Sequence, residues 1–315
     1  MPSAPHEQRI ERFRNAVSGL TGNSGAPLGV AVSGGPDSLA LLLLCEATFP
    51  GRTRVATVDH GLRPESANEA AFVALLCKTM GVPHTTLKPA RAADSNVSDW
   101  ARTARYEALE GWARDDKIGW IMTGHHADDQ LETVIMRLNR GSGVSGLSGI
   151  RARHGKVIRP LLGWRREELE EIVDWSGLMP VQDPSNQDDR FDRARLRKVL
   201  ASADWLDPVA ATRSAAALAE AETALDWVTN GLFTERASDI GTEWRIDIGD
   251  LPAELRRRLV LRVLRVLAPE AAPRGEELTR LLQTLATGGT ATLAGVLCQG
   301  GDLWRFSRAP ARQKN

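Results

Sequence analysis

Six consecutive residues, Ser33-Gly34-Gly35-Pro36-Asp37-Ser38, bring together two hydroxyls, a carboxylate and two glycines directly after the apolar run Leu28-Gly29-Val30-Ala31-Val32. That set suits a phosphate group. A short strand ends, the glycines let the backbone approach a ligand without a Cβ clash, and Leu39 to Leu44 continue as an apolar helix. The first amides of such a helix have no intrahelical acceptor and sit at the positive end of its dipole. The lysine of the G-x-x-x-x-G-K-[ST] loop is absent, which disfavours a motor or GTPase reading. An ordinary strand-to-helix turn would fit any Gly-Gly pair; the hydroxyls and carboxylate at these offsets set this one apart.

A second constellation is Gly124-His125-His126-Ala127-Asp128-Asp129-Gln130-Leu131-Glu132-Thr133. If this stretch opens a helix, His125, Asp128, Asp129 and Glu132 share one face, at offsets of three, four and seven. Three carboxylates beside an imidazole make a cation site, and oxygen-rich ligands favour magnesium or an ammonium group over a transition metal. The bland alternative is that acids complement the positive helix start, at a few tenths of a kcal/mol each.

The elements that must hold these residues alternate through the first two thirds of the chain. Strands are expected over 29–32, 53–59, 84–87 and 117–123, and helices over 37–47, 64–80, 98–114 and 127–138. That order implies an α/β fold, a mostly parallel, doubly wound sheet covered on both faces. Ligands of such sheets sit beyond the carboxyl ends of the strands, where the Ser33 loop, Asp59-His60 and Gly124-His125 all fall. The run from Arg140 to Gly149 is too glycine-rich for a regular element and is expected to be a mobile loop. Helices are expected again over 164–175 and 193–201, with a turn-rich segment from Gln182 to Asp192 between them. A boundary near Asp204 to Pro208 divides a first domain, 1–205, from a smaller, mainly α-helical second domain, 206–315. That domain carries helices over 209–230, 251–267 and 276–286 and a closing strand pair, 290–296 and 302–306.

Hydrophobic residues make up 42% and charged residues 25% of the 315, as in a globular protein, and no apolar run approaches the roughly 20 residues of a membrane span. The first residues, Met1 to Arg14, are too polar for a secretory signal, so a cytoplasmic protein is expected. Cys45, Cys77 and Cys298 are far apart and in apolar surroundings, so buried thiols are expected rather than disulfides or a zinc site. Forty basic and forty acidic residues cancel, so only local charge can speak of a nucleic-acid partner. From Met136 to Arg166 there are eight basic residues and no acidic one, which suits a phosphate backbone. A second basic group, Arg256, Arg257, Arg258, Arg262 and Arg265, lies on one expected helix and reads equally well as a solvated face.

The motifs S-G-G-P-D-S, V-D-H-G-L-R-P at Val58 to Pro64, A-R-x-x-R-Y at Ala101 to Tyr106, G-H-H-x-D-D-Q-x-E-T at Gly124 to Thr133 and R-G-S-G-x-x-G-L-S-G at Arg140 to Gly149 occur in the order found in the tRNA(Ile)-lysidine synthase family of PP-loop ATP pyrophosphatases. Arg159-Pro160-Leu161-Leu162 and Asp183-Pro184-Ser185-Asn186 extend the resemblance, which covers about Leu28 to Leu200. It departs from the family at Ala194, where an asparagine is usual.

The resemblance implies an ATP-dependent ligase that joins L-lysine to C2 of the wobble cytidine of a CAU-anticodon tRNA(Ile), by way of an adenylated cytidine, releasing diphosphate and AMP. It implies ATP and magnesium as cofactors, with Ser33, Gly34, Gly35, Pro36, Asp37, Ser38, Asp59, Arg105 and Arg197 around ATP. Asp37 and Asp128 would hold the metal, and Asp129 and Glu132, with His125 nearby, would orient the lysine. A homodimer is one expected assembly. The alternatives are another PP-loop tRNA-modifying enzyme such as a thiolase, for which no C-x-x-C pair exists here, or a non-catalytic tRNA- or ATP-binding module.

Overall fold

The computed structural model describes residues 6–22, 24–61, 65–89, 97–181 and 192–310. In chain order the first elements are α1 (Glu7–Thr21), β1 (Leu28–Ala31), α2 (Pro36–Thr48), β2 (Thr53–Val58), α3 (Glu65–Met80), β3 (His84–Leu87), α4 (Val97–Asp115), β4 (Trp120–Met122) and α5 (Ala127–Asn139). They are followed by α6 (Val144–Leu147), β5 (Arg153–His154), β6 (Val157–Ile158), α7 (Arg166–Ser176) and α8 (Asp192–Leu200). The remainder comprises α9 (Pro208–Arg236), β7 (Ala237–Asp239), β8 (Trp244–Ile246), α10 (Ala253–Leu267), α11 (Gly275–Ala286), β9 (Thr290–Leu293), β10 (Val296–Gln299) and β11 (Trp304–Arg308). Two compact units divide the chain, 1–219 and 220–315. Among the described residues no helix is long and apolar enough to cross a membrane.

The first unit is built on a six-stranded sheet of order β3-β2-β1-β4-β6-β5, parallel except for the edge strand β5. β1 lies between β2 and β4, so its carboxyl end, where the Ser33 loop begins, is flanked by both neighbours' ends. Side chains alternate across it as a strand requires. Leu28, Val30 and Val32 join a core with Phe13 and Val17 of α1, the leucines of α2, Val73 of α3 and Leu169, Ile172 and Val173 of α7. Ala31 faces the other side, with Ala56, Leu109, Trp112, Ile118 and Ile121, under α4. Leu39 to Cys45 are all buried, which makes α2 an internal helix rather than an amphipathic one. The expected α/β class and doubly wound sheet are those of the structure.

Differences from expectation lie where tertiary contacts override local pattern. The polar start folds as α1 because Phe13 and Val17, one turn apart, are buried against α2. The glycine-rich run contains the helical turn α6 instead of a wholly irregular loop, and Gln130 of α5 clamps its far end. The Gln130 amide nitrogen donates to the Ile150 carbonyl at 3.0 Å, and the Ile150 N–H donates to Gln130 Oε1 at 2.6 Å. Residues Leu62 to Pro64 and Asp183 to Asn186 of the sequence motifs, and nearly all of the expected turn-rich segment from Gln182, lie outside the described residues.

The second unit adds to the expected helices an antiparallel sheet of order β7-β8-β11-β10-β9. Leu259, Val260, Val263 and Leu264 of α10 and Leu278, Leu281 and Leu285 of α11 bury their apolar stripes with Ile246, Val296, Cys298, Trp304 and Phe306. The single strand expected over 290–296 is a hairpin, because Ala294 and Gly295 both take positive φ, 50° and 76°, as a tight two-residue turn demands.

Candidate active site

The Ser33 loop closes on itself through its hydroxyls. Ser38 Oγ accepts the Ser33 N–H at 3.2 Å and donates to the Gly35 carbonyl at 2.9 Å, and the two serine hydroxyls lie 3.3 Å apart. Pro36 has no N–H; it starts α2 at its first position with Gly35 as the cap. The amides available to an oxyanion are therefore those around it. Gly34 takes φ 90°, and the Val181 N–H donates to its carbonyl at 2.9 Å, so the chain after α7 braces the loop from outside.

β4 brings the second constellation against this loop. A Cβ on Gly124 would stand 3.0 Å from the Asp37 carbonyl oxygen and 3.2 Å from the Ser38 nitrogen, so only glycine admits this approach without displacement. The approach places Asp37 on α2 beside the start of α5. The buried His126, at the cap of α5, fills the space between them. Its Nε2 lies 3.6 Å from Asp37 Oδ2 and 3.4 Å from Asp129 Oδ2, and its Nδ1 lies 3.5 Å from Asp128 Oδ2. These are ion-pair distances without hydrogen-bond geometry, and neither ring nitrogen has a hydrogen-bond partner among the described residues. Burial alone would lower the imidazole's pKa, but the Asp128 and Asp37 carboxylates, with Asp129 behind them, raise it to about 10. Asp128 is held down to about 2: burial opposes this, but His126, the Arg166 N–H at 2.8 Å and Arg165 outweigh it.

The expected face of α5 is thus divided. His125 precedes the helix and pairs with the Thr123 hydroxyl at 2.9 Å. Burial, followed by the fields of Arg159, Arg105, Arg193 and Arg102, lowers its pKa to about 3, so it stands neutral in a basic environment. Glu132, 2% exposed, is clamped by α8: Arg193 Nε donates to its Oε2 at 2.6 Å and Arg197 Nε to its Oε1 at 2.7 Å. Arg193 also reaches Asp129 Oδ1 at 3.3 Å. Ala194 is buried on the same helix and brings no polar group. Asp59, at the end of β2, accepts from the Gly61 N–H at 2.9 Å and the Ser66 hydroxyl at 2.7 Å, and these bonds lower its pKa. Arg105, on α4, lies with Arg102, Tyr106 and Arg159 rather than with Arg197.

Sequence reasoning missed His126, Arg193 and Arg159. For His126 the signal was its place one residue before a helix, with acids two and three residues later; for Arg193 it was the pairing of an arginine four residues before Arg197, which puts both on one helix face.

A magnesium ion fits this donor set. Among the described residues no three acidic, histidine or cysteine side chains form a ready cage, yet Asp37 Oδ1 is buried without a partner. Magnesium is commonly held by one or two carboxylates together with phosphate oxygens, and hard oxygen donors are what Asp37 and Asp128 offer.

A parallel sheet whose first strand ends in this loop, with an acidic helix start against it, defines a PP-loop nucleotide-binding protein. The family model for the PP-loop domain matches residues 4–203, and the chain carries an ATP-binding domain of that kind. A tRNA(Ile)-lysidine synthase from Novosphingobium aromaticivorans is 49% identical over 91% of this chain and 90% of its own length. Another from Zymomonas mobilis is 41% identical over 97% and 95%. Among solved structures, a U34-tRNA thiolase from Methanococcus maripaludis with its 4Fe-4S cluster shares the fold at a TM-score of 0.55 and 16% identity, covering 67% of this chain and 79% of that one. The chain belongs to the tRNA(Ile)-lysidine synthase family.

Proposed function

We propose that this protein ligates L-lysine to C2 of the wobble cytidine of a CAU-anticodon tRNA(Ile), consuming ATP and releasing AMP and diphosphate, so that the tRNA reads AUA instead of AUG. Family membership supports the reaction, and one observation supports its location: Gly124 sets the acidic start of α5 against the Ser33 loop, so phosphate donors and carboxylates converge.

A carbonyl oxygen on C2 is a poor leaving group. Its attack on the α phosphate of ATP forms an O–P bond and expels diphosphate, and the lysine Nζ then bonds to C2 while AMP departs with the oxygen. Amides of Gly34, Gly35, Asp37 and Ser38, with the Ser33 and Ser38 hydroxyls, hold the diphosphate. Asp37 and Asp128 are the residues that would hold magnesium, which neutralises charge developing on the phosphates. Arg105 and Arg197 are assigned to ATP, a guanidinium suiting phosphate oxygens bidentately, and Asp59 to the nucleoside end. Asp129 and Glu132 are assigned to the lysine ammonium. Arg193 and Arg197 hold Glu132 meanwhile, so an arriving ammonium enters as a competing cation. His125 is assigned beside the lysine as a neutral neighbour: with its pKa lowered to about 3 it is too weak a base to take the proton of an ammonium whose reference pKa is about 10.4.

The division into a catalytic part, 1–205, and a C-terminal part, 206–315, that contacts tRNA belongs to this proposal. So do a cytoplasmic location and a homodimer, the last to be tested by light scattering. Incubation with ATP, magnesium, labelled lysine and CAU-anticodon tRNA(Ile) is expected to place label in the nucleic acid; no incorporation sinks the reading. Asp37→Ala is expected to abolish adenylation, whereas Asp129→Ala spares adenylation and weakens lysine use. Equal loss of both steps in Asp129→Ala contradicts the assignment.

A further inference from the structure

The arginines beside His125 carry more positive charge than the carboxylates among the described residues answer. Arg159, directly after β6, is 6% exposed, and its guanidinium donates to the Arg151 carbonyl at 2.7 Å and to the Tyr106 hydroxyl at 3.3 Å. Its Nε is buried and has no partner among the described residues. Arg102 stacks over the Tyr106 ring, 5.5 Å from its centroid, and Arg105 of the same helix lies within the electrostatic reach of both. Among the described residues no carboxylate comes within ion-pair distance of Arg102, Arg105 or Arg159. Asp59, the acid at the end of the neighbouring strand, is engaged by Ser66 and Gly61. His60 and His125 border the same cluster, and both are held toward the neutral form, first by burial and then by these arginines. A buried guanidinium with an unused donor costs free energy unless something else satisfies it.

We propose that Arg159, with Tyr106 and Arg102, forms a second oxyanion subsite beside His125 that takes a phosphate group. Tyr106 fixes the Arg159 guanidinium from one side and the Arg151 carbonyl from the other, leaving Nε to the ligand. A phosphate oxyanion accepts a charge-assisted hydrogen bond from a guanidinium N–H, and its charge balances the cluster. Two sources share this chemistry: a phosphodiester of the RNA strand, or the diphosphate of ATP. Continuity favours the phosphodiester. The Arg151 carbonyl that holds Arg159 belongs to the basic segment running to the exposed Arg153, which stacks on Trp120 at 4.4 Å. The phosphodiester arm rests on the tRNA part of the proposed function; the diphosphate arm does not.

Full-length protein and two variants, Arg159→Gln and Tyr106→Phe, separate these arms in binding experiments without lysine, so failure of lysine ligation would leave the result intact. One titration uses an anticodon stem-loop RNA across a salt series; the other uses inorganic diphosphate displacing a fluorescent ATP analogue. Arg159→Gln is expected to weaken one ligand by about tenfold or more, and Tyr106→Phe the same ligand by roughly two- to fivefold, with unchanged melting temperature. Weaker RNA binding with a log–log salt slope shallower by about 0.7 assigns the phosphodiester, and weaker diphosphate binding with RNA unchanged assigns the diphosphate. Unchanged affinity for both ligands in both variants overturns the proposal. If Arg159→Gln does not fold, unchanged affinities in Tyr106→Phe alone overturn it.

Discussion

Two arginine groups, one beside His125 and one on α10, look alike in composition and differ in what surrounds them. On α10, Arg258 is buried between Glu222, Asp226 and Glu254, and Arg257 bonds Glu254 through two nitrogens. Arg256 donates to the Leu251 carbonyl, and Arg262 reaches Asn230 and stacks on Phe233. This group is largely satisfied within the chain. Among the described residues, Arg102, Arg105 and Arg159 have no carboxylate to meet. A buried cation with its acids in place is part of the fold, and one without them is waiting for an anion, so the number of arginines in a segment decides neither.

Stability separates the two groups most sharply. Arg258→Ala strands buried Glu222 and is expected to cost about 3–5 kcal/mol of unfolding free energy, read by urea titration. Arg159→Gln removes an unanswered charge while losing two hydrogen bonds, and these offset to within about 1 kcal/mol. Equal costs would break the comparison. Replacing Arg258 and Glu222 together by Met and Leu sharpens it, because a well-packed apolar pair is expected to recover most of the loss.

Acid tests the clamped carboxylates. Burial raises the pKa of Glu132, but Arg197 and Arg193 outweigh it and hold the carboxyl below its ordinary value. A depressed folded pKa means that the stabilisation is complete above the unfolded value, about 4.5, and is lost as pH falls through the folded one. Glu254 is also lowered, chiefly by its bond to Arg257, but it is 39% exposed and solvent screens it. Glu132→Gln is therefore expected to cost about 2 kcal/mol at neutral pH and to flatten the acid limb of the stability profile. Glu254→Gln should do so by much less. Equal flattening would mean that exposure does not distinguish the two clamps.

How far the sequence foretold the site follows from the range of the interactions. The Ser33 loop and the strands around it were legible because β-period and glycine placement are local signals, and β1, α2, β2 and α5 formed close to their expected limits. The family motifs carried the acids of α5. What stayed hidden was long-range pairing. Nothing near His126 announces that Asp37, some ninety residues earlier, would stand at its Nε2, and nothing near Glu132 announces Arg193. On α10, Glu254 lay four residues before Arg258, in view, whereas Glu222 and Asp226 come from another helix. Strands of three to five residues in the second unit were too short for periodicity to show.

RNA binding gives the smallest and most discriminating effect. Arg151 is half-buried and Arg153 exposed, with no carboxylate near either among the described residues, so both charges are open to a polynucleotide. Each phosphate contact on a single strand contributes about 0.7 to the log–log salt slope, so replacing both by glutamine should make the slope shallower by at most about 1.4. The same double replacement of Arg256 and Arg257 should move it by less than about 0.3, since Glu254 already screens Arg257 and a backbone carbonyl holds Arg256. A large shift from the α10 pair would mean that internally paired arginines exchange their carboxylates for phosphates when RNA arrives. The distinction between the two groups would then describe only the free protein.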